Sequence, residues 1–222
     1  MTTIADNWHA IRARVDAAAS RAGRAPSEVT IVAVSKFHPI SAIREAIAAG
    51  ARDFGENYAQ ELAAKQNELA ATWHFIGRLQ RNKAKLVAGK VALVHAVDSV
   101  ELAVELGKRA GDQPQAMLLA VNLANEATKG GVTAETAPAL AKVIAAAPNV
   151  TLAGLMTMPP PEVEPRPLFE QLRGLRDRIA DELGNALPVL SMGMSGDFET
   201  AIACGATHVR IGTAIFGERP PA

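Results

Sequence analysis

From residue 29 onward, short apolar runs alternate with longer stretches of helical spacing. Eight runs read as β-strands: 29–34, 52–54, 73–76, 93–96, 116–121, 150–156, 188–191 and 208–211. Helical patterns fill the gaps, among them 41–49, 58–71 and 99–110. The clearest is 168–183, where Leu168, Leu172, Leu175, Ile179 and Leu183 repeat along one face. Ahead of the first strand, Ile4, Trp8, Ile11 and Val15 predict an amphipathic helix, which Gly23 and Pro26 end. Eight βα units predict an α/β fold, a (β/α)8 TIM-type barrel preceded by an additional helix. A doubly wound open sheet is the alternative, and the count of eight favours the barrel. Several strand runs are almost wholly apolar, as expected where both faces are covered. The proline-rich stretch 159–167 predicts a long, stiff βα loop. The expectation is one domain over 1–222, with 1–28 as the leading helix and its link to the barrel.

Composition narrows the function classes. Lys plus Arg and Asp plus Glu both number 23, so no bulk charge favours nucleic acid or an anionic membrane. Any anion binding must be local. Cys204 is the only cysteine, which excludes an intrachain disulfide and a two-cysteine zinc site, and it reads as a small buried residue. No spacing suggests a metal site. The start of the chain has no secretory pattern, and no window approaches the ~18 apolar residues of a membrane span, so a cytoplasmic location is expected.

In a barrel the working face lies at the carboxyl ends of the strands, where the distinctive polar residues of this chain concentrate. Lys36 follows the first strand. A lysine held there at a desolvated position has a depressed pKa and a nucleophilic amine, suited to a Schiff base with a carbonyl compound; the alternative is a solvated strand-end lysine. Two small-residue turns lie at the other end of the chain, Gly193-Met194-Ser195-Gly196 and Arg210-Ile211-Gly212-Thr213. Each joins a strand to a helix, the setting in which hydroxyl and backbone N–H groups hold phosphate. An aldehyde trap and a phosphate cradle together suggest one ligand with both groups. Alternation turns Arg210 and His208 away from the face of Val209 and Ile211. An inward arginine needs either an internal salt bridge or a bound anion or ring nitrogen. His74 reads as a hydrogen-bonded core residue or as a base. Gln80, Arg81, Asn82, Lys83 and Lys85 form a basic helix start, either a solvated face or a docking surface.

Taken together, Ala33-Val34-Ser35-Lys36, Phe54-Gly55-Glu56-Asn57-Tyr58 and Trp73-His74-Phe75-Ile76-Gly77 resemble the pyridoxal phosphate homeostasis proteins. So do Gly154-Leu155-Met156, Leu190-Ser191-Met192-Gly193-Met194-Ser195 and Val209-Arg210-Ile211-Gly212-Thr213. The match runs from about residue 29 to residue 219, and the family is similar to the barrel domain of alanine racemase, the fold-type III pyridoxal phosphate enzymes. The resemblance implies pyridoxal 5'-phosphate as cofactor, held as an internal aldimine on Lys36. It implies a phosphate site at Ser195, Gly196, Gly212 and Thr213, and Arg210 facing the pyridine nitrogen or sharing its charge with the phosphate. Asn57, His74, Met156 and Met194 are implied as pocket lining. Racemases add a β-domain whose tyrosine is the second acid/base; here Tyr58 is the single tyrosine, in the motif after the second strand. The resemblance therefore implies a carrier or buffer of the cofactor, with no catalytic residues, that serves pyridoxal phosphate-dependent apoenzymes as a monomer. A minimal racemase or lyase is the alternative.

Overall fold

The computed structural model describes residues 2–124, 126 and 130–218; the ends of the expected 1–222 domain thus fall outside the described residues. Eight parallel strands close into a barrel in sequence order. They are β1 (Thr30–Val34), β2 (Asp53–Glu56), β3 (Thr72–Phe75), β4 (Leu93–Val97), β5 (Gln115–Ala120), β6 (Val150–Met156), β7 (Val189–Ser191) and β8 (His208–Ile211). Every expected strand is present, and the open sheet is excluded by β8 pairing with β1. The expected run 52–54 extends through Glu56, because Gly55 takes a ladder position between Val34 and His74.

The helices are α1 (Ile4–Arg21), α2 (Ile40–Ala48), α3 (Ala59–Gln66), α4 (Val100–Arg109), α5 (Ala137–Ala145), α6 (Pro165–Leu183), α7 (Phe198–Ala203) and α8 (Thr213–Phe216). Between β3 and β4 a 3-10 segment, Arg81–Leu86, stands in place of the expected helix start. The stretch 58–71 is helical only to Gln66. The proline-rich stretch is shorter as a loop than expected. Pro165 opens α6 because a proline at the first helical position loses no hydrogen bond. Phe169 takes the core position at that end of α6 ahead of Leu168, which is only partly buried.

α1 begins with a capping box, in which Thr3 and Asp6 satisfy each other's backbone N–H groups. Trp8, Ile11, Val15, Ala18 and Ala19 form its buried face, against α2, α7 and α8. α8 has only four residues and cannot cover β8 alone, so α1 completes the outer ring where the barrel closes. The main core lies between strands and helices: Ile31, Ala33, Phe54, Phe75, Met117, Leu119, Leu155, Leu190, Val209 and Ile211 meet the helical faces there. The alternate strand positions point into the barrel, where the polar residues gather.

Gly154 sits where the β5–β6 register shifts, opposite Val189. A Cβ there would lie 1.8 Å from the Val189 carbonyl oxygen. Gly154→Ala is expected to destabilise the fold by at least ~2 kcal/mol, measured by urea unfolding; an unchanged midpoint would show that β6 and β7 can separate freely.

Candidate functional site

The chain leaves β1 through a tight turn. Ser35 and Lys36 lie beyond the last strand residue, Val34, and Phe37 adopts φ 67°, a left-handed conformation rare for a bulky residue. A buried ionic cluster holds this turn on both sides of Lys36. Lys65 Nζ on α3 donates to Ser35 O at 2.7 Å, to Glu56 Oε1 at 2.6 Å and to Glu61 Oε1 at 2.7 Å. Ser35 Oγ also donates to Glu56 Oε1 at 2.6 Å, and the Phe37 N–H donates to Glu61 Oε1 at 2.6 Å. Burial raises the Glu56 pKa above the usual carboxylate range, against the hydrogen bonds from Lys65 and Ser35. The His38 ring stacks on Phe216 of α8, with centroids 4.9 Å apart, which ties the turn to the end of the chain.

Lys36, half-buried, faces a cavity of about 240 Å3 at the carboxyl mouth of the barrel. Asn57, Met156, Met194 and Arg210 share its wall with Lys36, as do Val34, Asp98, Asn122 and Met158. The volume suits one small ligand. Asn57 Oδ1 is buried and has no hydrogen-bond partner among the described residues. Arg210 is buried without a carboxylate partner among the described residues, so the internal salt bridge is not found. Its Nη1 donates to Ser191 Oγ at 2.6 Å and its Nη2 to the Thr157 carbonyl at 3.0 Å. Burial pushes its pKa down to about 10, so it stays a cation at neutral pH.

The two small-residue turns leave the carboxyl ends of β7 and β8, next in the chain to the lining residues Met194 and Arg210, but Ser195, Gly196, Gly212 and Thr213 are not among the residues that line the cavity. Ser195 and Gly196 follow Met194 directly and precede α7; Gly212 and Thr213 open α8 beside Val34, whose carbonyl oxygen would lie 3.4 Å from a Cβ at Gly212. The backbone N–H groups of Ser195, Gly196, Thr213 and Ala214 make no hydrogen bond among the described residues. Gly193 permits the first turn: at φ 92°, a Cβ would come within 2.6 Å of Ala201 Cβ.

His74 does not reach the cavity. Its β3 register places it opposite Gly55 and Leu93, one layer deeper, where it bonds His95 and Asp53. Cys204 is buried, as expected, with its thiol pKa raised by desolvation. Lys65, Glu56, Asp98, Asn122, His95 and Ser191 are the residues that sequence reasoning missed. Among the described residues, no cluster could hold a metal ion and no helix is long and apolar enough to cross a membrane.

A family model described as the alanine racemase N-terminal domain matches residues 7–220. A pyridoxal phosphate homeostasis protein of Pseudomonas aeruginosa is 47% identical over 224 residues, covering 99% of this chain and 97% of its own. The structure of PipY from Synechococcus elongatus PCC7942, with PLP bound, superposes with a TM-score of 0.80 at 36% identity, covering 92% and 100%. Alanine racemase from Corynebacterium glutamicum has a TM-score of 0.71 at 19% identity over 97% of this chain and 63% of that one, a likeness of fold alone.

Two outcomes are expected. Lys65→Met leaves Glu56 buried beside a lost partner and should cost about 3–5 kcal/mol in urea unfolding; adding Glu56→Gln should recover part of this. Acid should also weaken the fold. The His208 pKa is pushed from 6.5 to about 4, first by burial and then by His74. The unfolded chain thus takes up a proton that the folded one resists, and stability present above 6.5 is lost as pH falls through 4. His208→Gln should flatten that part of the melting-temperature profile; an unchanged profile would assign it to other groups.

Proposed function

The chain belongs to the pyridoxal phosphate homeostasis protein family, and from that premise we propose that it holds pyridoxal 5'-phosphate reversibly on Lys36 for delivery to apoenzymes. The observation that carries this reading is convergence on one cavity. Lys36, Arg210 and Asn57, whose buried Oδ1 has no partner among the described residues, line it, and the N–H-rich turns at Ser195–Gly196 and Gly212–Thr213 follow the lining residues Met194 and Arg210 closely in the chain.

These groups fit the cofactor. The Lys36 amine would condense with the aldehyde, forming a C=N bond and releasing one water. Ser195 and the backbone N–H groups of Gly196, Thr213 and Ala214 would hold the phosphate. Arg210 would donate to the ring nitrogen, while Asn57, Met156 and Met194 would bound the ring. The bound group supplies a reactive aldehyde and an electron-withdrawing ring.

The same residues support storage over turnover. Arg210, a cation at neutral pH, disfavours protonation of the ring nitrogen and weakens the electron withdrawal that amino-acid chemistry needs. Two-base racemization also needs an acid/base opposite Lys36. Tyr58 is 49% exposed, packs on Phe37, and lines an adjoining open groove with Arg81 and Lys83. That basic groove is the surface we assign to client apoenzymes, with the protein acting as a monomer.

Borohydride reduction of protein saturated with pyridoxal phosphate should add one cofactor mass, mapped to the peptide carrying Lys36, and Lys36→Ala should gain none. Labelling of another lysine, or equal labelling of the variant, would overturn the assignment.

A further inference from the structure

A line of hydrogen bonds runs through the barrel beneath the cavity. Asp53 Oδ1 lies 3.1 Å from His74 Nε2, and His74 Nδ1 lies 3.0 Å from His95 Nε2. His95 Nδ1 lies 2.8 Å from Ser191 Oγ, which accepts from Arg210 Nη1 at 2.6 Å. The groups come from β2, β3, β4, β7 and β8 in turn. Asp53 stands at the amino-terminal mouth with its side chain 28% exposed, whereas His74, His95, Ser191 and Arg210 are buried.

Given one proton on each imidazole, the two ends fix the direction of every link. A carboxylate only accepts and a guanidinium only donates. With one proton on each imidazole, His74 donates from Nε2 to Asp53 and accepts at Nδ1. His95 donates from Nε2 to His74 and accepts at Nδ1 from the Ser191 hydroxyl. Ser191 has then spent its proton on His95 and presents only lone pairs to Arg210. No link has two donors or two acceptors. Burial keeps His95 uncharged, its pKa pushed well below the usual value, and His74, His208 and Arg210 act in the same direction. The His208 ring lies 5.8 Å from that of His74 and 6.1 Å from that of His95, and its Nδ1 is turned to Thr207 at 3.0 Å.

We propose that Asp53, His74, His95 and Ser191 form a through-barrel positioning chain that holds the Arg210 guanidinium as an oriented donor at the ligand cavity. Its effect on the cofactor rests on the function proposed above; its existence does not. Ser191 is the link that matters most, because among the described residues Arg210 has only Ser191 and the Thr157 carbonyl to anchor its terminal nitrogens. Asp53 acts at a distance, from the opposite mouth of the barrel.

The test begins on ligand-free protein labelled with ¹⁵N at histidine and arginine. At neutral pH, His74 and His95 should both be neutral with the proton on Nε2, and the Arg210 guanidinium protons should be separately resolved. Ser191→Ala should average those arginine signals, and Asp53→Ala should mix the histidine tautomers. A proton on His95 Nδ1, a doubly protonated His74, or unaltered arginine signals in Ser191→Ala would overturn the chain.

The second arm is pyridoxal phosphate binding. Ser191→Ala should weaken it by about tenfold, the effect of one buried donor left badly paired, and Ser191→Thr, which keeps the hydroxyl, should restore it. Equal binding by wild type, Ser191→Ala and Asp53→Ala would overturn the positioning role. If the wild type itself takes up no pyridoxal phosphate, the proposed function fails, and the spectra of the ligand-free protein still decide the chain. Circular dichroism of each variant separates loss of fold from loss of orientation.

Discussion

Everything at the cavity depends on the closure of β8 against β1. The register sets Val32 beside Arg210 and Ala33 beside Ile211. Because the two strands are parallel, their carboxyl ends finish at one level, and Lys36 and Thr213 emerge on the same rim. An amine near the start of the chain and a phosphate-type turn near its end thereby come to the same mouth of the barrel. The His38–Phe216 stack and the packing of α1 across α8 and α2 hold that seam from outside. Without closure, neither turn has a partner.

Two buried cations flank the site, and they are stabilised by opposite means. Lys65 is met by two carboxylates and a carbonyl, and these bonds fix the peptides on either side of Lys36. Among the described residues Arg210 is met at hydrogen-bond distance only by a hydroxyl and a carbonyl, which satisfy two of its donors and put no carboxylate in contact with its charge, Asp197 acting from further away. Desolvation acts on both. The first arrangement pairs the cation within the fold, although Glu56 Oε2 is left without a hydrogen-bond partner among the described residues, and it suits a structural clamp. The second offers its remaining charge to whatever enters the cavity, so an anionic ligand should stabilise the protein on binding. Asn57 Oδ1 points to the same conclusion, since a buried polar atom without a partner carries a cost that a ligand donor removes.

The barrel was legible because its strands are short apolar runs separated by helical spacing, a pattern set locally. Lys36, Asn57, Met156, Met194 and Arg210 were legible for a related reason: each sits at or just past a strand end, and the fold sends those positions to one mouth. The chain of polar residues below them was not. His95 lies inside an apolar strand, and Ser191 looks like a small strand residue. Their roles depend on which strands lie across the barrel, information that no single run contains. Lys65 had the same defect: on α3 it resembles a solvated lysine, and only the packing of that helix against β2 turns it inward. The resemblance implies His74 as pocket lining, whereas the structure bears out the reading from the residues alone, a hydrogen-bonded core histidine, because its bonds to His95 and Asp53 hold it below the cavity.

The central claim is that one small ligand spans Lys36 and the two rim turns. A crystal structure of the protein soaked with pyridoxal phosphate tests it most directly. The expected result is electron density continuous with Lys36 Nζ, the ring beside Arg210, and the phosphate against Ser195, Gly196, Gly212 and Thr213. An empty mouth in fully soaked crystals, or density joined to a different lysine, would contradict it.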